Sequence, residues 1–219
     1  MQVHDHLPVG GHLADDQAVG TDAPPNTIRK LFRNCFLVGR RFRLAHIVFG
    51  RNVIETSTFR RQPKETAGDD DSLYQHEDNT FGTPEEDALR RDFTVNGLFY
   101  DIKTFSVIDY VGGLKDLETR TLRCIGDPNV RFREDPVRMM RAVRFAARLG
   151  FRIDWASRRA IRRHHAEIAN ASAPRLLEEV MRLFTYRSAE AAFRLLWSFE
   201  LLADIIPEFA AFIDRSGGE

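Results

Sequence analysis

The sequence has only two cysteines in 219 residues, Cys35 and Cys124. Both sit among apolar neighbours, which excludes a disulfide framework, and no zinc-ligand spacing is present. Long apolar runs are also missing. No stretch is long enough to span a bilayer, and no secretory leader is expected, so the expectation is a soluble, cytoplasmic chain without membrane attachment. Excess charge of either sign is absent too: 32 basic residues balance 32 acidic ones, for a formal net charge of +0. Net charge therefore gives no pull toward a polyanion, and only local clustering can do so. What is present is a globular composition. Hydrophobic residues make up 43% of the chain, which excludes a disordered one, and its length suffices for one large or two small domains with real cores. The pattern specifies no oligomeric state.

Two charged runs interrupt this balance. In the first, Arg90-Arg91-Asp92-Phe93-Thr94-Val95-Asn96 lies in a stretch whose apolar spacing predicts a helix over 85–100. Guanidinium forks at Arg90 and Arg91 match phosphate oxygens bidentately, or are simply solvated. Asp92 suits a helix start, as a cap or as a metal carboxylate. Asn96 would follow one turn later on the same side, offering a hydrogen bond to a sugar or phosphate oxygen, or only a polar face. The second run, Glu134-Asp135-Pro136-Val137-Arg138, opens an arginine-striped helix predicted over 133–149, with Asp135 as N-cap, Pro136 at N1 and Gly150 as the stop. Arg138, Arg141, Arg144 and Arg148 share one arc of its wheel, and Met139, Met140, Val143 and Ala146 fill the rest. Such a stripe suits a solvated face or the wall of a cleft for a polyanion. Asp135 and Arg138 can present an acceptor and a donor to a nucleobase edge, or pair with each other.

The remaining pattern is α+β. Residues 1–25 are polar and carry no period. A helix is predicted over 26–34 and strands over 35–38, 42–49 and 53–59, the last two joined by a turn at Gly50-Arg51-Asn52. Glu55 interrupts the third strand, either as a cleft-facing carboxylate or as a solvated edge residue. An acidic loop covers 62–80. Strands over 107–110 and 122–125 complete a small mixed sheet with helices on one side. From residue 133 onward the chain reads as all helical, over 133–149, 155–168, 174–186 and 189–202, with Ser172 and Ser188 as N-caps. The second of these helices is strongly basic through Arg158, Arg159, Arg162 and Arg163. That suits a face tracking phosphates or a solvated surface.

These motifs in this order resemble the class II nucleotidyltransferases, the family of bacterial poly(A) polymerases and CCA-adding tRNA nucleotidyltransferases. Leu31-Phe32-Arg33-Asn34-Cys35 and Val38-Gly39-Arg40-Arg41-Phe42-Arg43 are most similar to the poly(A) polymerase branch. Tyr110-Val111-Gly112-Gly113, Lys115-Asp116 and Pro174-Arg175-Leu176 with Glu178 follow in the family's order. The resemblance implies an irregular start over 1–25, a nucleotidyltransferase head over 26–128, and an all-helical neck with the start of an RNA-binding body over 129–219. It implies transfer of AMP from ATP to RNA 3′ ends with Mg²⁺ or Mn²⁺. Its alternatives are CCA addition, or nucleotide and RNA binding without turnover.

By the same resemblance Asp16, Asp92 and Glu55 are the catalytic carboxylates, with Asp16 on the metal. Gly10-Gly11 forms a nucleotide-side turn, while Arg90, Arg91 and Asn96 hold triphosphate and sugar. Asp135, Arg138 and Arg175 select the base, with Glu178 bracing Arg175. Arg40, Arg41, Arg141 and Arg144 meet RNA. The chain departs from the family at Ala18, which stands where the second of two spaced aspartates belongs; a methyl group cannot bind Mg²⁺. The segment before it is short, and most of the family's RNA platform is expected to be missing from this chain.

Overall fold

The computed structural model describes residues 4–5, 18–39, 43–62, 80–185 and 187–215. The chain divides into two compact units, one of Met1–Arg91 with Asn96–Val111 and one of Asp92–Val95 with Gly112–Glu219. The expected boundary after residue 128 thus differs from the division in the structure, where residues 112–128 belong with the helices.

The first unit is built on a sheet of seven strands: β1 (His4–Asp5), β2 (Ala18–Thr21), β3 (Cys35–Val38), β4 (Leu44–Phe49), β5 (Asn52–Thr58), β6 (Leu98–Asp101) and β7 (Ser106–Asp109). Their spatial order is β3-β4-β5-β2-β1-β6-β7. β2 and β5 are parallel and every other pair is antiparallel, so the sheet is mixed as expected. The β4–β5 hairpin follows from alternation: Ala45 and Ile47 are buried while His46 and Val48 face the other way. Gly50 supplies the positive φ of +61° that the turn requires.

Helix α1 (Pro25–Leu31) lays Ile28 against Cys35, Ala45 and Ile47. Helix α2 (Pro84–Arg90) starts at a Thr83–Glu86 capping box and packs Ala88 on Phe59 and Phe99. Register carries Ala45 through Thr56, Val19 and Asp5 to Tyr100, so Phe99 lies on the opposite face. The two helices therefore cover opposite faces, which corrects the expected one-sided cover. An apolar helix stripe shows that a helix packs, but strand parity decides on which face.

The helix expected over 85–100 is also corrected. α2 ends at Arg90, Arg91 is extended, Thr94–Asn96 forms a single 3₁₀ turn and the chain enters β6. β-Branched Thr94 and Val95 with Gly97 are weak helix formers. Residues 92–94 instead pair with 123–125: the Thr94 amide donates to Arg123 O at 3.0 Å and the Ile125 amide to Asp92 O at 3.0 Å. Asp92 therefore caps no helix, and Asn96 does not follow it by a helical turn.

The second unit contains α3 (Gly113–Glu118), α4 (Pro128–Glu134), α5 (Val137–Leu149), α6 (Trp155–His164), α7 (Ala173–Leu183), α8 (Ala189–Ser198), α9 (Leu201–Ile205) and α10 (Pro207–Arg215). A short parallel pair, β8 (Thr121–Leu122) with β9 (Arg152–Ile153), corrects the all-helical expectation. The helix predicted over 133–149 is split because Pro136 forces Asp135 out of helical geometry, to φ −147° and ψ 93°. Asp135 is thereby the C-cap of α4 rather than a side-chain N-cap, and Gly150 at φ +65° stops α5 as expected. Ser172 and Ser188 occupy N-cap positions without a side-chain cap bond. The core gathers Phe93, Leu122, Phe132, Met139, Met140, Val143, Ile161, Leu196 and Leu201, each large side chain contributing about 1.5–3 kcal/mol.

Candidate functional site

In the sheet unit, register aligns Phe36, His46, Glu55 and Ala18 as one row across β3, β4, β5 and β2. The row lies on the face away from α1. His46 Nε2 stands 3.6 Å from Glu55 Oε2, and both side chains are partly exposed. Backbone register makes residue 18 of β2 the cross-strand neighbour of Glu55. Gly10, Gly11, Asp16, Arg40 and Arg41 lie outside the described residues.

The same unit holds Arg90 and Arg91 on one buried carboxylate, Asp87, which sequence reasoning missed. Arg90 Nε donates to Asp87 Oδ1 at 2.8 Å, and Arg91 Nη2 donates to Oδ2 at 2.8 Å. Burial by itself would push the Asp87 carboxyl up; Arg91 and then Arg90 overcome it and hold the group below its ordinary range. Arg91 also donates to Asn96 O at 3.2 Å and lies 5.1 Å from the Phe99 ring centroid. The two guanidiniums are therefore held in fixed orientations by Asp87. The signal was legible in spacing: Asp87 is three and four residues before the arginines on one helix.

In the helical unit, buried Asp92 accepts from Arg141 Nε at 2.6 Å and from the Phe93 amide at 2.9 Å. Arg141 reaches Glu179 at 3.5 Å, and Arg144 Nε donates to the other Glu179 oxygen at 2.7 Å. Burial would lower the Arg141 guanidinium, but Asp92 and Glu179 outweigh it and raise it; burial prevails at Arg144 and lowers it. Arg144 is only 5% exposed, so its expected meeting with RNA is corrected. The wheel showed a common arc but not the acidic helix α7 packed against it. The carboxylate of Asp92 is likewise committed to Arg141.

A second cluster surrounds the α4–α5 break. Asp135 accepts from Arg175 at 2.7 and 3.1 Å. Arg138 Nη1 donates to Arg131 O at 2.9 Å and to Glu134 at 3.0 Å. Asp135 and Arg138 are thus oriented by separate partners rather than by each other. Arg175 is braced across to Asp135, and Glu178 instead pairs with Arg182 one turn along α7 at 2.6 Å, which corrects the expected Glu178–Arg175 brace. Asp116, quoted only as part of a motif, is buried and accepts from Thr94 Oγ1 at 2.7 Å and from Arg123 Nε at 3.0 Å.

A mixed sheet followed by a helical unit is the architecture of a nucleotidyltransferase, as the similarity to a solved CCA-adding enzyme shows. Comparison with known proteins narrows it. Residues 3–123 match the family model described as the poly A polymerase head domain, and residues 150–213 match one described as the probable RNA and SrmB-binding site of polymerase A. The chain belongs to the poly(A) polymerase head-domain family.

It is 43% identical over 223 residues to poly(A) polymerase I of Escherichia coli O6:H1, covering 95% of this chain and 48% of that protein. It is 33% identical to the CCA-adding enzyme of Bacillus pumilus, covering 90% and 50%. Among solved structures it is similar to the Bacillus stearothermophilus CCA-adding enzyme in complex with CTP, with TM-score 0.76, 28% identity, and 91% and 48% coverage. The chain spans about half the length of the curated relatives it matches. No described helix is long and apolar enough to cross a membrane.

Proposed function

We propose that this chain carries the adenylyltransferase site of a template-independent poly(A) polymerase, with ATP as donor and RNA 3′ ends as acceptor. The observation that carries the reading is its 43% identity over nearly the whole chain to a poly(A) polymerase I, against 33% to a CCA-adding enzyme. Arg90 and Arg91, held by Asp87, take triphosphate oxygens, with Asn96 toward the sugar. Asp135 and Arg138 offer an acceptor and a donor to the adenine edge, and Arg175 orients Asp135. The RNA 3′-hydroxyl attacks the α-phosphorus and pyrophosphate leaves.

Alanine is aligned with Glu55 across β2 and β5, where the family resemblance expects a second carboxylate for Mg²⁺, and a methyl group cannot bind that ion; Asp16 lies outside the described residues. This favours a second reading, in which the chain binds nucleotide and RNA without turnover.

Labelled ATP, an oligo(A) primer and a tRNA lacking its terminal CCA separate the readings, in Mg²⁺ or Mn²⁺. Extension of the primer by adenylates alone supports the first. Addition of C and A to the tRNA supports the CCA-adding alternative. ATP binding without product supports the second reading, and under it Ala18→Asp should restore extension.

A further inference from the structure

The sheet unit contains a cavity that the nucleotide reading does not use. It lies on the face of the sheet covered by α1 and has a volume of about 230 Å³. Val19 of β2, Ile47 of β4, and Ile54 and Thr56 of β5 form its floor, while Ile28 and Phe32 close it from the α1 side. Alternation puts these strand residues together: register sets Ala45, Thr56 and Val19 in one line and pairs Ile47 with Ile54, and leaves His46 and Glu55 to the other face. Phe49 also lines the cavity and is 53% exposed; it meets Phe32 edge to face, with ring centroids 6.4 Å apart.

The chemistry of the walls decides what fits. No polar surface opens into the cavity, so water gains no hydrogen bonds there, and a charged ligand would lose its hydration without compensation. Adenine, with polar atoms on every edge, is excluded for the same reason. The volume exceeds the roughly 150 Å³ of an apolar cavity that takes up benzene. Thr56 adds one polar demand. Its side chain is buried, and Oγ1 has no hydrogen-bond partner among the described residues, whereas buried hydroxyls are ordinarily bonded. Thr56 lines the cavity through carbon, and a turn of about 120° around χ1 exchanges its methyl for its hydroxyl.

We infer that this cavity is a binding site for a small neutral aromatic molecule of one or two fused rings, whose single N–H or O–H donates to Thr56 Oγ1. Phe32 and Phe49 supply edge-to-face contacts to the bound ring. The site backs onto Glu55, because Ile54 and Thr56 on either side of it in β5 line the cavity. Occupancy therefore bears on the strand that carries this carboxylate, from the opposite face. The inference goes beyond the enzymatic reading and stands without it.

The test is titration of the full chain with indole and with indene, a bicyclic of similar shape that lacks the N–H, followed by methyl resonances and by the thermal midpoint. Both probes should move the methyl signals of Val19, Ile28, Ile47 and Ile54 and raise the midpoint in proportion to occupancy. Thr56→Val keeps the shape and removes the hydroxyl. It should weaken indole about fivefold, the worth of one net hydrogen bond, and leave indene unchanged. Ile54→Phe, at a half-buried position, should fill the space and abolish binding of both probes.

Absence of any shift at these methyls with either probe would overturn the inference. So would indole binding that survives Ile54→Phe in a variant that melts like the parent. Equal affinity for indole in the parent and Thr56→Val would remove the hydrogen-bonding ligand from the proposal and overturn it as stated. Methyl shifts that follow protein concentration without a probe would assign the cavity to a second copy of the chain, again overturning the inference.

Discussion

Helices α5 and α6 are both rich in arginine, and they use it in opposite ways. On α5, Arg141 and Arg144 point into a network with Asp92 and Glu179, and the stripe is neutralised. On α6, four arginines face outward without a described acidic partner. The difference teaches that a basic arc on a helical wheel says nothing about function until its neighbours are known. A stripe facing an acidic helix holds the fold together, while one facing solvent remains available to a polyanion.

The contrast is broken most severely at Glu179. Glu179→Ala leaves Arg144 buried without a counter-charge and should cost about 3–5 kcal/mol, measured by urea unfolding. Arg144→Met combined with Glu179→Leu should regain most of that loss. Unfolding of Glu179→Ala at the parent's midpoint would mean that α5 does not depend on its pairing.

Asp87 extends the paired class to the sheet unit. Asp87→Asn should cost about 1.5–3 kcal/mol. Because its folded carboxyl lies below the ordinary value of 3.8, the stabilisation is complete above that value and lost as pH falls through the folded one. Thermal melts of the parent should therefore drop more steeply than those of Asp87→Asn as the pH is lowered below about 4.

Arg175→Ala breaks an exposed pair and should change stability by less than about 1 kcal/mol. It should weaken ATP binding by releasing Asp135, read by calorimetric titration. A stability loss without a binding loss would assign Arg175 to the fold. The smallest effect belongs to α6: Arg158→Ala or Arg163→Ala should move unfolding by no more than about 0.5 kcal/mol. A larger loss would place these arginines with those of α5 and erase the comparison.

Much of the fold was legible in local chemistry. The β4–β5 hairpin followed from alternation and Gly50, and the end of α5 from Gly150. The site was legible as motifs but not as partners. Asp135 looked like a cap for α5, yet Pro136 expels it from the helix and Arg175 takes its carboxylate. Glu178 looked like the brace of Arg175, yet Arg182 is one turn away on the same helix. Asp92 and Asn96 looked like helical neighbours, yet residues 92–94 pair with 123–125.

By itself the sequence determined the family, a mixed sheet followed by helices, and the alanine at position 18. These are properties of residue identity and of periods two and 3.6, which act over a few neighbours. The tertiary structure alone decided that Ala18 lies beside Glu55, that Arg144 is buried on Glu179, and that the arginines of α6 remain outside. Charge pairing and burial depend on what packs across tens of residues of chain, as Arg144 with Glu179 does, and no local period encodes that.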